Sequence, residues 1–166
     1  MNTGNPGPGV SPHWPTSGAG LPRACDGSAS ADCAFDYGWL AAKDAVARAR
    51  TVAGGLAAQV PWWLDVEVEN SWSDDPASNS ADLQGVVAGL QDEQIGSIGI
   101  YALRSGWEQI IGSGAANAPF ISLPNWRPGA SSAAEAATWC ARTVTGGPVK
   151  FVQYPQAGMD TNLPCY

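Results

Sequence analysis

The chain has 166 residues, of which 45% are hydrophobic and 14% charged, so it is long and apolar enough to fold as one domain with its own core. Its formal net charge of −7 excludes a nucleic-acid binder built on a basic face and argues against docking on anionic lipid. No run of about 18 apolar residues occurs, so no segment is expected to span a membrane.

Residues 1–34 read as an irregular loop dominated by Gly, Pro, Ser and Asp, with no apolar period. Residues 35–53 carry Phe35, Trp39, Leu40, Val46 and Val52 among many Ala and read as a helix that stops at Gly54-Gly55. The run Val60-Pro61-Trp62-Trp63-Leu64 passes into Asp65-Val66-Glu67 and fits a strand of a buried parallel sheet. After a polar loop from Asn70 to Ser80, Asn79 or Ser80 is the candidate cap of a helix bearing Leu83, Val86, Val87 and Leu90. Ser97–Tyr101 is a short strand, and Trp107, Ile110 and Ile111 mark a short helix. Phe120–Trp126 reads as a strand that Pro124 confines to an edge or an irregular piece. Ser132 and Glu135 form a capping-box pattern that opens a helix through about Ala141. Val149–Tyr154 is a final strand, and Pro155–Tyr166 is expected to be a loop-like tail.

Strands alternating with helices predict an α/β fold with a parallel sheet. Such a sheet collects its chemistry at the C-terminal ends of its strands. The motifs of dinucleotide and phosphate-loop proteins are missing, so no cofactor is expected. The one histidine, His13, lies in a Pro-rich loop, and no GxSxG occurs, which leaves no serine nucleophile with its base. Asp65, Glu67 and Asp160 have no histidine beside them in the sequence, and no metal is expected. Cys25, Cys33, Cys140 and Cys165 allow three pairings or four free thiols; the most local pairing, Cys25–Cys33 with Cys140–Cys165, is preferred and implies an oxidising compartment.

Asp65, Glu67 and Glu69 follow the most apolar strand at a spacing of two, which puts them on one face, about 6.6 Å apart at the backbone. Carboxyl groups at that spacing can approach the roughly 5–5.5 Å of retaining glycosidases, and like charges so close hold one proton to higher pH. Tyr101, Asn125, Trp126, Gln153 and Tyr154 end the other strands, with Asp160 shortly beyond. Acids, amides and aromatic rings on one rim suit a sugar, since rings stack on its apolar faces and amides bind its hydroxyls. The 8 Trp residues serve either core packing or such stacking, Trp63 among them.

The ordered set Trp62-Trp63-Leu64-Asp65-Val66-Glu67, Asn70-Ser71-Trp72, Ala81-Asp82-Leu83-Gln84-Gly85, Gly99-Ile100-Tyr101, Leu123-Pro124-Asn125-Trp126, Gln153-Tyr154 and Gly158-Met159-Asp160 resembles the glycoside hydrolase family 25-like superfamily, in its secreted actinobacterial branch. The opening Asn2–Gly7 and Trp14-Pro15 also resemble a loop of those proteins. The resemblance implies a (β/α) TIM-barrel and cleavage of β-1,4 bonds in peptidoglycan, a carbohydrate polymer of the cell wall. It assigns the general acid to Glu67, a charge or positioning role to Asp65, and the acid near the last strand to Asp160. The rim read from the strand ends is expected to contact substrate through Trp63, Glu69, Tyr101, Asn125, Trp126, Gln153 and Tyr154.

The chain departs from that family in lacking a first strand with an Asp, and a full barrel takes about 250 residues. Residues 1–166 are therefore expected to form a single, incomplete barrel, with the strand of Val60 or of Val149 exposing an edge that would make the chain prone to associate. The opening Met1–Gly9 has no leader pattern, so an extracellular location rests on the cysteines and the resemblance. The alternatives to an enzyme are a non-catalytic carbohydrate or cell-wall binding module and an inactive fragment of such an enzyme.

Overall fold

Five strands make one sheet in the order of the sequence, and every helix packs on the same face of it. A computed structural model describes residues 1–166. The elements are α1 (Ala31–Ala53), β1 (Trp62–Asp65), α2 (Pro76–Asp92), β2 (Ile98–Tyr101), α3 (Arg104–Ile110), β3 (Asn125–Arg127), α4 (Ala133–Trp139), β4 (Val149–Gln156) and β5 (Met159–Pro164). The pairs β1·β2, β2·β3 and β3·β4 are parallel, and β4·β5 is antiparallel. The sheet is open: β5 forms one edge, and along β1 the chain's opening residues add a single parallel bridge, Asn2 to Asp65.

Local chemistry sets the helix ends. The Ser30 hydroxyl accepts from the Cys33 N–H and caps α1, with Asp32 in its first turn and Arg50 in its last, both matched to the helix dipole. The Asp75 carboxylate accepts from Ala77 N–H, and Pro76 opens α2, so the helix starts before Asn79 and Ser80 rather than at them. Asn79 is instead buried as a hub: its Oδ1 accepts from Asn5 Nδ2 and Ser73 N–H, and its Nδ2 donates to the carbonyls of Ser73 and Ile110. Ser132 caps α4, but Glu135 turns to the N–H and hydroxyl of Ser131, one residue earlier than the capping-box pattern implies.

The core lies between the helices and the sheet face bearing Leu64, Ile98 and Ile100, with Leu83, Val86 and Leu90 from α2 and Trp107 and Ile110 from α3. Trp107 is fully buried, edge-on to Phe120 at 5.2 Å, with its Nε1 donating to Asn117. Helices α1 and α2 meet through glycine. A Cβ on Gly85 would lie 1.9 Å from the Phe35 carbonyl oxygen, and one on Gly38 would lie 2.1 Å from that of Asp82. Only backbone without a side chain permits that approach.

Two expectations for the second half need correction. Phe120–Trp126 is not one strand: Gly114–Phe120 is a 3₁₀ turn, and β3 is confined to the three residues after Pro124. The tail is not a loop, because β4 runs on to Gln156 and turns through Ala157 (φ 52°) and Gly158 (φ 78°) into β5. Two residues with positive φ are what a tight hairpin turn requires. Strand β4 is thus paired on both sides and exposes no edge. The opening loop ends sooner than the expected residue 34, because Ser30 caps α1 and the helix starts at Ala31, and the loop is anchored by Cys25–Cys33, by Trp14 stacked on Tyr37, and by Asn5 bonded to Ser78 and Asn79. The second disulfide, Cys140–Cys165, ties the end of β5 to α4, so both local pairings are present.

Cys140 and Cys165 stand 25 residues apart, and a closed loop of that size restricts the unfolded chain by about 3 kcal/mol. Replacing both by Ser is expected to lower the melting temperature by roughly 6–12 °C in calorimetry. An unchanged melting temperature would contradict that. Asp82 is completely buried and burial holds its carboxyl well above the usual range. The unfolded chain ionises there near its ordinary pKa while the folded chain does not, so Asp82 withdraws stability as pH rises from about 4. Asp82→Asn is expected to add on the order of 1–3 kcal/mol at pH 7 and to lose that advantage near pH 3 in denaturant titrations.

Candidate active site

Strand β1 delivers the DxE segment. It ends at Asp65, and residues 66–69 turn away from the sheet, closed by Asn70 N–H donating to the Glu67 carbonyl at 3.1 Å. Strand alternation therefore does not relate the three acids. Side chains lock the turn: Asn70 Nδ2 and Thr3 Oγ1 both donate to the Asp65 carbonyl, at 3.1 and 2.6 Å, and Trp72 Nε1 donates to that of Glu67 at 2.7 Å. Val66 is fully buried and its N–H bonds to the Tyr101 carbonyl, pinning the turn to β2.

The turn sets the carboxyls of Asp65 and Glu67 near one another, close enough for the charge of Asp65 to act on Glu67. The Glu67 carboxyl is held above its usual range by burial first, then by the charge of Asp65, the shared hydrogen bond and the charge of Glu69. Asp65 Oδ1 is enclosed and has no hydrogen-bond partner. Tyr101 is pushed up to about 12 by burial, then by Glu67, Asp65 and Asp160, so its phenol stays protonated and donates to Gln153 Oε1 at 2.7 Å.

Beside the dyad, the sheet face away from the helices is paved with half-buried aromatic rings. Trp126 stands edge-on to Trp63 at 5.6 Å, to Tyr101 at 5.3 Å and to Phe151 at 5.8 Å. Trp63 folds across Gly99, where a Cβ would lie 2.4 Å from the indole. Trp126 Nε1 donates to Asn162 Oδ1 at 2.9 Å.

The structure thus gathers Asp65, Glu67, Trp63, Tyr101, Trp126 and Gln153 on one open face. Asp160 lies exposed on β5 opposite Pro155, near enough for its charge to act on Tyr101. Three expected site residues lie elsewhere. Asn125 is fully buried on the helix side, where its Oδ1 takes Thr143 Oγ1 and two backbone N–H groups and its Nδ2 donates to Thr145. Tyr154 alternates with Gln153 and packs against the Ala130–Val152 cluster under α4. Glu69 is exposed and lines a separate cavity. Phe151 and Asn162 belong to the face and were not foreseen. Phe151 could have been found from its spacing of two from Gln153, whereas nothing in a tail read as loop pointed to Asn162.

No family model, curated protein or solved structure matches the chain at a significant level. The chemistry of this face is therefore read from its own residues. The pair holds one proton against neighbouring negative charge, beside rings that bind apolar surfaces and amides that bind hydroxyls.

Removing the Asp65 charge should release that proton. In Asp65→Asn the Glu67 pKa is expected to fall, with burial left as its principal cause of elevation. Carboxyl-resolved NMR titration of both proteins measures this, and an unmoved Glu67 would show that the two groups are uncoupled.

Proposed function

We propose that the chain is a glycan-directed hydrolase domain of the glycoside hydrolase family 25-like kind, acting on β-1,4-linked cell-wall polysaccharide outside the cell. The observation that carries this reading is the Asp65–Glu67 pair at the C-terminal end of a parallel sheet, set beside an open aromatic face. Glu67, holding its proton to higher pH than an ordinary glutamate, donates it to the glycosidic oxygen as the bond to the anomeric carbon breaks. Asp65 stands beside Glu67 at the same end of β1. Its role is to hold the acid's proton and to face the positive charge that develops at the sugar, or to orient an acetamido group. Trp63 and Trp126 offer rings to the sugar, and Gln153, oriented by Tyr101, offers its amide. Two disulfides support an oxidising, extracellular setting.

A second reading, binding without cleavage, draws support from the openness of the face: two cavities of about 410 and 730 Å³ are lined by other residues, and Glu67 lines neither.

The test is release of reducing ends from purified peptidoglycan and chitooligosaccharides. Glu67→Gln is expected to lower the rate by about 10²–10⁴-fold while leaving glycan binding in place. The wild-type rate should fall as pH rises through the elevated Glu67 pKa, because the acid is then deprotonated. Equal activity of Glu67→Gln and wild type would overturn the mechanism, and glycan binding without cleavage by the wild type would establish the second reading instead.

A further inference from the structure

A cavity of about 410 Å³ opens between the chain's first residues, α1, α2 and the turn after β1. Helix α2 presents Asp82 to its wall. Asp82 is 1% exposed, and neither carboxylate oxygen has a hydrogen-bond partner. It projects toward α1, where a Cβ on Gly38 would lie 3.0 Å from Oδ1. None of the four ion pairs involves it. A buried carboxyl with no partner is costly, and a helix crossing built on glycine has no packing need for one.

The rest of the wall supplies acceptors. The Thr3 hydroxyl already donates to the Asp65 carbonyl and keeps its lone pairs. Asn70 uses its Nδ2 on the same carbonyl and keeps its Oδ1. Ser71 adds a hydroxyl, and Tyr37, held by stacking on Trp14, adds an aromatic ring. A carboxylate with an aromatic ring favours an ammonium group. No group of three His, Cys, Asp or Glu side chains is gathered here, so the donor set suits an organic monocation rather than a metal ion.

We propose that this cavity binds a small hydroxylated primary amine, its ammonium against Asp82 and its hydroxyls against Thr3, Asn70 and Ser71. The site is separate from Glu67, and the inference does not depend on the reading of that residue. In the empty protein burial favours the protonated form of Asp82, raising its pKa. An amine that arrives as ammonium ionises it, and one proton leaves to solvent. The other titratable groups on the cavity are the Met1 ammonium, which donates to the Trp63 carbonyl, the Glu69 carboxylate on the turn, and the Tyr37 phenol on α1.

The experiment is isothermal titration of the oxidised full chain with D-glucosamine at pH 7, in phosphate and in MOPS, neither of which is a primary amine, with D-glucose and N-acetyl-D-glucosamine as comparators. Glucosamine is expected to bind about tenfold or more tightly than either comparator. Its heat should differ between the buffers as release of one proton demands. Asp82→Asn, shown folded by its melting transition, should lose both the preference and the proton release. Equal binding of the three sugars, no binding of glucosamine, or a heat independent of buffer in the wild type would overturn the proposal. Undiminished glucosamine binding by Asp82→Asn would do the same.

Discussion

Parallel pairing is the constraint on which the rest of the molecule depends. A strand that must run beside its predecessor in the same direction needs a return path, and here each return passes through a helix on one face of the sheet. The C-terminal ends of β1 to β4 therefore meet at one rim, and the other face receives no helix. Parallel sheets are ordinarily covered on both faces. This one covers its second face with its own side chains: Trp63 lies over Gly99, and Trp126 sits between Trp63, Tyr101 and Phe151 in edge-to-face contact. The rings are half-buried because they serve as both packing and surface.

The return helices in turn depend on backbone proximity. Every fourth residue of α1 from Ala34 to Val46 is buried and small, and Gly85 and Gly89 answer from α2. Two helices that close present polar backbone and the Asp82 carboxyl to one another, and they leave space beside the crossing that the N-terminal segment only partly fills. Asn5, Ser78 and Asn79 close that junction with hydrogen bonds. Thr3 and Asn70, from opposite sides of it, hold the carbonyl of Asp65. The turn that carries Glu67 is thus braced by the helix pair and by the opening loop as well as by its own strand.

How much of this the sequence shows depends on whether a residue's type reveals its surroundings. The apolar run before Asp65, the Ala-rich helix ending at Gly54 and the Leu83–Leu90 period all bury one face, and periodicity exposes that directly. The hairpin of β4 and β5 hides itself: Ala157 stands where Asn or Gly normally marks a turn, and Pro155 and Pro164 interrupt the alternation of the two strands. At the site, the meeting of Asp65 with Glu67 is legible as a DxE pair, but its cause is a turn and not strand alternation. Asn125 and Tyr154 mislead because a polar residue at a strand end looks the same whether it faces the rim or the helices; the register shift between β3 and β4 is set by pairing that no single strand encodes. Asp82 is invisible for a similar reason, since one acid in a helix reads as solvated until a second helix closes over it.

The charge of the rim decides what kind of chemistry it suits. Asp65, Glu67 and Asp160 stand there outside the four ion pairs of the protein, which lie at Lys43, Arg48, Arg50 and Arg104. Burial, and after it the charges of neighbouring acids, holds the Glu67 proton and keeps the Tyr101 phenol neutral, so one setting prepares one acid and one neutral donor. A ligand that brings negative charge meets that field as repulsion. A neutral polyol meets it without penalty, and a group whose charge becomes positive as a bond breaks is stabilised most at that moment. An acidic rim beside an aromatic floor therefore discriminates by the charge that develops in the reaction as well as by the shape of what binds.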